Sequence, residues 1–229
     1  DYMKGMIPWP ETQQEKNEMF SRMGDVLEGS FDFADKLGVK TCIGTETPLT
    51  VPSSLKKRLE RQGKNPADKQ VVRELYEGMF ERIKRAHKLD YYWIWTSEAW
   101  TWGDPQPADV EGVVNDLKMA IEAAENVEPG FTLATCGWVL GPANDRALFD
   151  NFMPKEMPMS CINRSVGFDP VEKGFADIEG RDKWAIPWLE DDPAMIIPQL
   201  WAGRMRKDAA DAYLYGCNGL MVIHWGTRI

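Results

Sequence analysis

Short, continuously apolar runs alternate along this chain with longer segments in which apolar residues recur every three or four positions. The short runs predict strands buried on both faces, and the periodic segments predict amphipathic helices. The six predicted strands cover residues 39–45, 91–98, 131–136, 159–162, 183–189 and 220–223. The predicted helices cover residues 11–37, 54–62, 68–88, 109–126, 144–151 and 198–215. We expect the first helix to bend or break near Gly29 and Ser30, and residues 166–181, which show no period, to form a loop.

The alternation of strands and helices predicts an α/β fold in which helices wrap a parallel sheet. Polar or aromatic residues follow every predicted strand, and no glycine-rich phosphate loop follows any of them. This pattern is more typical of a TIM-type (β/α)8 barrel than of an open doubly wound sheet, because barrels carry functional residues at the carboxyl ends of their strands. The 229 residues suffice for one core, so we expect a single domain over residues 1–229.

The most informative stretch is residues 91–102, YYWIWTSEAWTW, an aromatic and β-branched run that reaches Glu98 with tryptophans on both sides. A buried parallel strand could deliver Glu98 in this way to the open end of a barrel. Aromatic rings stack on the apolar faces of sugars, and a carboxyl group held among them has its pKa raised toward the value that a general acid needs. The alternative is a core strand whose Glu98 points to solvent beside packing tryptophans.

The charge and the aromatic content of the chain narrow the class of ligand. A formal net charge of −9 and a pI near 4.9 argue against nucleic acid and anionic membranes as partners. The ten tryptophans fall mostly near the ends of predicted strands, which favours carbohydrate or another flat, hydroxylated ligand. No apolar run reaches the roughly 18 residues that a membrane span needs.

The four cysteines lie in or beside predicted strands, without a CxxC motif or a neighbouring histidine. We expect buried free thiols rather than disulfides or metal ligands. The four are Cys42, Cys136, Cys161 and Cys217.

A second carboxylate follows the fifth predicted strand. Glu190 comes three strands after Glu98, which in an eight-stranded barrel places the two carboxyl groups across the mouth from each other. Hydrolysis of a glycosidic bond needs such a pair, because one acid protonates the leaving oxygen while one carboxylate attacks the anomeric carbon or activates water. Asp191 could be the inward carboxylate instead, since a one-residue shift reverses the faces of a strand. Asp191 or Asp192 could also cap the next helix.

Three strand ends, TSE at 96–98, WLE at 188–190 and IHW at 223–225, resemble the retaining glycoside hydrolases of the (β/α)8 superfamily that carry catalytic glutamates on strands four and seven. The resemblance implies that Glu98 is the acid/base, Glu190 the nucleophile and Trp225 a platform under the sugar. Ser97 stands where these enzymes usually have an asparagine that contacts the sugar 2-hydroxyl. The chain would then supply strands three to eight, and the remaining barrel strands would come from the same longer chain. With that seam open, we expect the 229 residues to fold poorly alone.

Further side chains at the strand ends are candidates for substrate binding. Glu46 could bind a sugar hydroxyl or form an ion pair with Arg164. Arg164 could hold a substrate carboxylate such as that of a uronic acid, although a structural ion pair is more common. His224 is more typical of a hydrogen-bonding histidine than of a metal ligand. The full set is Glu46, Trp100, Trp138, Asn163, Arg164, Asp191, His224 and Trp225.

We therefore expect a glycoside hydrolase that cleaves O-glycosidic bonds of a polysaccharide or glycan, needs no cofactor or metal ion, and suits a secreted or periplasmic location. One alternative is a metal-dependent barrel lyase or isomerase in which Glu46, Glu98, Glu190 and Asp192 hold Mg²⁺, although the usual basic lysine at a strand end is missing. Another is a carbohydrate-binding barrel without catalysis. Sensitivity to chelators would mark the first alternative, and binding without turnover the second.

Overall fold

A computed structural model describes residues 10–163, 168–189 and 201–223 of the protein. The strands are β1 (Cys42–Glu46), β2 (Tyr91–Thr96), β3 (Thr132–Gly137), β4 (Met159–Ile162), β5 (Lys183–Ile186) and β6 (Gly219–Leu220). The helices are α1 (Gln13–Lys36), α2 (Ser53–Arg61), α3 (Lys69–Ala86), α4 (Ala99–Trp102), α5 (Pro107–Val127) and α6 (Ala202–Leu214), with a 3₁₀ helix at Lys173–Asp177.

The six strands form one sheet in the order β1-β2-β3-β4-β5-β6, and every neighbouring pair is parallel. Each strand therefore pairs with the next one along the chain, and each connection crosses back over the sheet to restart at the same end. Helices α2 and α3 connect β1 to β2, α4 and α5 connect β2 to β3, and α6 connects β5 to β6. The predicted parallel α/β fold is confirmed.

The sheet is strongly curved. Tyr91 of β2 and Trp184 of β5 contact each other with ring centroids 5.3 Å apart, although β3 and β4 lie between their strands. In a flat sheet two strands three places apart would be separated by about 14 Å. The sheet therefore curls around its inner face as the wall of a barrel does, and within the described strands β1 and β6 are its two edges.

Alternation along β2 divides the apolar residues into two layers. Tyr92, Ile94 and Thr96 are buried on the helix side, where α3 and α5 pack against the sheet. Trp93 and Trp95 are half-buried on the inner face. The inner layer contains Cys136, Ile162, Ile186 and Trp188, with Trp93, Trp95, Trp138, Trp201, Met221 and Ile223 packed against them.

Several predicted elements differ from the observed ones. The strand predicted at 91–98 ends at Thr96, because the chain turns into α4 after Ser97. The helix predicted at 144–151 is a series of turns, and a 3₁₀ helix lies within the predicted loop at 166–181. Helix α1 continues through Gly29 and Ser30, where the Ser30 hydroxyl donates to the Val26 carbonyl one turn earlier, at 2.7 Å.

One buried arginine ties the turns before β4 to the segment before β5. The side chain of Arg181 has no exposed surface, and its Nε donates to Asp150 Oδ1 at 2.6 Å. Lys155 Nζ donates to the same carboxylate at 2.8 Å. Since a guanidinium carries five donors, the remaining ones donate to four backbone carbonyls in the interior. These are the carbonyls of Asp150, Met153, Pro154 and Met157.

The cysteines are all free. Cys136 and Cys161 are buried, while Cys42 and Cys217 are half-buried. Burial raises the pKa of the Cys136 thiol to about 12, so this thiol carries no reactive thiolate near neutral pH. Among the described residues, no helix combines the length and the apolarity that a membrane span requires.

Candidate active site

Glu98 lies at the carboxyl edge of the sheet, two residues beyond the end of β2. Its backbone already has helical dihedral angles, and its carbonyl accepts from the Thr101 amide at 2.9 Å as α4 begins. The residue is exposed, which agrees with the alternative in which Glu98 points to solvent and differs from a carboxyl group enclosed by aromatic side chains. The difference arises because the strand stops at Thr96, so that Glu98 belongs to a surface turn rather than to the wall of the sheet.

The two tryptophans after Glu98 have opposite environments. Trp100 is 7% exposed and packs against Phe149 with ring centroids 6.2 Å apart. Trp100 belongs to the core on the helix side of the sheet, and its role in substrate binding stays a prediction. Trp102 is 62% exposed and stands four residues after Glu98, a spacing that places two side chains on one face of a helical turn. Trp102 is not among the residues predicted from the sequence to bind substrate.

Trp138 follows β3 and is half-buried on the inner face, with its ring centroid 6.5 Å from that of Trp188. Thr96 fixes this segment, since its Oγ1 donates to the Val139 carbonyl at 2.9 Å and also lies 3.2 Å from the Val139 amide nitrogen. Gly137 makes the close approach possible, because a Cβ there would lie 2.2 Å from Thr96 Oγ1. The segments after β2 and β3 are thus joined at the edge that carries Glu98.

Glu46 is the last residue of β1 and is exposed beside Trp95, its partner in the register of β1 and β2. The next residue, Thr47, is buried and donates its amide to the Trp95 carbonyl at 2.8 Å. The position of Glu46 at the same edge as Glu98 agrees with the prediction for the strand end. Its role in ligand binding remains a prediction, and its proposed partner Arg164 lies outside the described residues.

Asp116 of α5 anchors the loop that follows Glu46. Its buried carboxylate accepts from Thr47 Oγ1 at 2.8 Å, from the Leu49 amide at 3.1 Å and from the Tyr76 hydroxyl at 2.7 Å. Burial raises the pKa of Tyr76 well above its usual range, so that its hydroxyl remains a donor. The sequence carried one signal of this anchor, since Asp116 interrupts the apolar face of the predicted helix beside Leu117.

Replacing Tyr76 with Phe should lower the free energy of unfolding by about 1–2 kcal/mol, because the Asp116 carboxylate then loses a donor in the interior. Urea denaturation followed by circular dichroism measures the change. Tyr213→Phe is the matched control, since Tyr213 is exposed and its loss of a hydroxyl should change the stability by less than about 0.5 kcal/mol. If the two variants are equally stable, the hydrogen bond from Tyr76 to Asp116 contributes nothing to the free energy of unfolding.

Asn163 follows β4 and is only 1% exposed. Its amide donates to the Ile186 carbonyl at 3.0 Å, and its own carbonyl accepts from Trp188 Nε1 at 3.0 Å. Its side chain lies beside Asp208 of α6, whose pKa is raised by burial and partly lowered again by Arg204 and Asn163. Asn163 thus ties β4, β5 and α6 together inside the protein, and its role in substrate binding stays a prediction.

The remaining predicted site residues lie outside the described residues: Arg164, Glu190, Asp191, Asp192, His224 and Trp225. The pairing of Glu98 with Glu190 and the platform role of Trp225 stay predictions. Within residues 10–163, 168–189 and 201–223, no group of three or more His, Cys, Asp or Glu side chains is arranged to hold a metal ion.

A cleft of about 440 Å³ lies between the loop after β1, helix α4 and the start of α5, and it is lined by Ser97 and Ala99, the two residues on either side of Glu98 in the sequence. Its walls combine apolar surface from Pro48 and Trp100 with polar groups from Ser97, Asp104 and Asp109. Asp109 accepts from the Gln106 amide at 3.1 Å and so caps α5. Apolar walls with a few hydroxyl and carboxylate groups suit an uncharged, hydroxylated ligand.

No protein-family model matches the chain, and no curated protein sequence matches it. Among solved structures, the chain is similar to the GH53 catalytic domain of Ignisphaera aggregans, with a TM-score of 0.53 and 14% sequence identity. The match covers 88% of this chain and 66% of that domain, so the chain spans slightly less than two thirds of the length of its structural neighbour. At this identity the likeness is one of fold alone. Together with the parallel six-stranded sheet, it shows that the chain has an α/β fold like that of a glycoside hydrolase barrel.

Proposed function

We propose that this chain forms most of the catalytic domain of a glycoside hydrolase that cleaves O-glycosidic bonds of a polysaccharide or glycan. The observation that carries the proposal is the position of Glu98, exposed at the carboxyl edge of a curved parallel sheet with a glycoside hydrolase-like fold. In barrels of parallel strands this edge carries the catalytic residues. Trp102 beside Glu98 and Trp138 on the next strand end supply the aromatic surface that sugars stack on.

In the proposed mechanism Glu98 is the general acid and Glu190 the nucleophile. Glu98 donates its proton to the glycosidic oxygen as the bond to the anomeric carbon breaks, and Glu190 attacks that carbon to form a glycosyl ester. Glu98 then takes a proton from the water that hydrolyses the ester, and the configuration of the sugar is retained. Carboxyl groups about 5 to 5.5 Å apart fit this route, while a separation of roughly 6.5 to 9.5 Å would fit inversion by direct attack of water.

Glu98 is exposed in the free protein, so a bound sugar would exclude water from one side of its carboxyl group. The net charge of −9 repels polyanions. A neutral or weakly charged glycan is therefore the proposed substrate class.

The test is hydrolysis of a panel of neutral polysaccharides by the purified protein, with and without a chelator. Release of reducing ends that is unaffected by the chelator supports the proposal, and NMR of the first anomer formed separates retention from inversion. Turnover that stops with the chelator would favour a metal-dependent lyase or isomerase. Binding of a polysaccharide without turnover would favour a carbohydrate-binding barrel.

Trp102 is expected to hold the sugar next to the bond that is cleaved. Trp102→Ala should lower kcat/KM about 2- to 10-fold through a higher KM, because an aromatic contact of this kind contributes roughly 0.5–1.5 kcal/mol. Trp102→Phe should recover most of the loss. Steady-state kinetics measure both variants.

The matched control for Trp102 is Tyr213→Ala. Tyr213 is 83% exposed. It lies where α6 leads into β6, at the amino-terminal end of the strands, whereas Glu98 lies at their carboxyl end. It should leave kcat/KM unchanged. If Trp102→Ala and Tyr213→Ala behave alike, Trp102 does not contact the substrate.

A further inference from the structure

Aromatic side chains reach the surface at a second place along the carboxyl edge of the sheet, beyond β4 and β5. Phe168 follows β4 and is 56% exposed. Trp201 directly precedes α6, the helix that connects β5 to β6, and it is half-buried. The two rings contact each other with centroids 5.6 Å apart. Phe168 and Trp201 are here called the distal aromatic pair.

One arginine holds the distal aromatic pair in place. The Arg204 guanidinium lies 5.6 Å from the Phe168 ring centroid and 5.1 Å from that of Trp201, within the range of cation–π attraction. Arg204 also donates to the Asp169 carbonyl at 3.0 Å, and its Nε lies 3.9 Å from the buried carboxylate of Asp208. Because these contacts tie the segment of Phe168 to α6, the exposed ring has a defined position.

Trp201 connects the distal aromatic pair to the interior. It packs against the inner layer of the sheet, which contains Trp188 and against which Trp138 also packs. The ring centroids of Trp138 and Trp188 lie 6.5 Å apart. One apolar layer therefore reaches the surface at two places, at Trp138 beside the segment of Glu98 and at the distal aromatic pair.

The distal aromatic pair and Glu98 lie on different strand ends. Glu98 and Trp102 follow β2, whereas Phe168 follows β4. Neighbouring strands are about 4.8 Å apart, so the ends of β2 and β4 are separated by roughly 10 Å. A sugar ring stacked on Trp102 would thus leave Phe168 for another ring of the same ligand.

The chemistry of the distal aromatic pair suits a neutral sugar. Phe168 offers an exposed ring face without a hydrogen-bonding group, and such faces stack on the apolar faces of sugars. The positive charge of Arg204 is already directed at two rings and at Asp208. With a net charge of −9 on the chain, an acidic sugar would gain little there.

We propose that the distal aromatic pair is a second sugar-binding subsite, which binds another unit of the glycan whose bond lies at Glu98. The proposal rests on the proposed hydrolase function for the identity of the ligand. It adds that the substrate is a chain of several neutral sugar units rather than a single sugar on a small leaving group. Phe168 supplies the stacking face, Trp201 supports it, and Arg204 is a positioning residue.

Affinity electrophoresis tests the subsite without requiring turnover. The probes are a soluble galactan, mannan, xylan and glucan, each cast into a native gel. At least one should retard the wild-type protein, and Phe168→Ala should raise the apparent Kd for that polysaccharide about 2- to 10-fold. Phe168→Trp should restore the binding. Phe33→Ala is the matched control, because Phe33 is 63% exposed but lies on α1, near the end that leads into β1.

Kinetics give a second readout. Phe168→Ala should lower kcat/KM on the retarding polysaccharide through a higher KM, and it should leave kcat/KM unchanged on an aryl glycoside of one sugar, which reaches only the site at Glu98. Equal losses on both substrates would indicate a structural effect and overturn the subsite.

The gels separate the two proposals. If Phe168→Ala is retarded as strongly as the wild type, or if no probe retards the wild type, the subsite is wrong. Retardation of the wild type that Phe168→Ala weakens, without hydrolysis of any probe, would overturn the proposed activity and support the subsite.

Discussion

Glu98→Gln should lower kcat/KM on a natural glycan by about 10³-fold, within the range of 10² to 10⁴ that general acid–base catalysis contributes. Gln has nearly the size of Glu but cannot donate a proton to the glycosidic oxygen. An aryl glycoside with a good leaving group should lose far less in the bond-breaking step, because that oxygen needs no protonation to leave. The Tm should stay unchanged, since Glu98 is exposed and its carboxylate accepts no hydrogen bond from the described residues.

Two further variants test the role of Glu98 by comparison. Glu190→Gln should abolish the hydrolysis of both kinds of substrate, because no leaving group replaces a nucleophile. Glu46→Gln is the matched control, as Glu46 is also an exposed carboxylate at a strand end. Glu46→Gln should lower kcat/KM by less than about tenfold. If Glu98→Gln and Glu46→Gln reduce kcat/KM equally, Glu98 is not the general acid.

The largest effect on stability is expected from Arg181→Met, which should lower the free energy of unfolding by about 3–5 kcal/mol. The substitution leaves the Asp150 carboxylate without its closest cation and removes the Arg181 donors from four backbone carbonyls, of which only that of Pro154 keeps a described backbone donor, the Met157 amide. Arg85→Met is the matched control, because Arg85 is mostly exposed and pairs with Glu81 at 3.9 Å. An exposed pair of this kind contributes at most about 1 kcal/mol. Chemical denaturation at pH 7 measures both variants.

The effect of Arg181→Met should also depend on pH. Burial by itself raises the pKa of Asp150, but hydrogen bonds and charges from Lys155 and Arg181 outweigh burial and lower it overall. A carboxyl group with a lowered folded-state pKa stabilises the fold above its unfolded pKa of about 3.9, and this stabilisation is lost as the pH falls through the folded value. The stability difference between wild type and Arg181→Met should therefore narrow below about pH 4. A difference that is constant from pH 7 to pH 3 would mean that the Asp150 charge contributes little.

The order of strands and helices could be predicted from the sequence because it rests on local periodicity. The apolar run of β4 was predicted at its observed bounds, Met159–Ile162, since all four of its residues are buried. The end of β2 was placed two residues late. Ser97 and Glu98 follow an aromatic run without a Pro or Gly to mark the boundary. The switch to helical dihedral angles accompanies the packing of Trp100, a residue of α4, into the core.

The environment of individual site residues depends on contacts that are distant in sequence, and these could not be predicted. Asn163 is buried because α6, about forty residues later, covers the end of β4. Trp100 and Trp102 are both tryptophans and lie two positions apart, yet only Trp100 contacts Phe149. The alternation of Tyr92, Ile94 and Thr96 with the tryptophans of β2 was visible in the sequence and would have assigned the two faces.

The tie between Thr96 and Val139 has a mechanical consequence. Because one hydroxyl group contacts both the amide and the carbonyl of Val139, the turn that carries Glu98 and the segment that carries Trp138 are expected to move as one body. A ligand that contacts both would then bind two segments whose relative position is already fixed. The protein would therefore lose little conformational freedom on binding. Thr96 thus joins the turn that carries Glu98 and the segment that carries Trp138 into one preorganised unit at the carboxyl end of the strands.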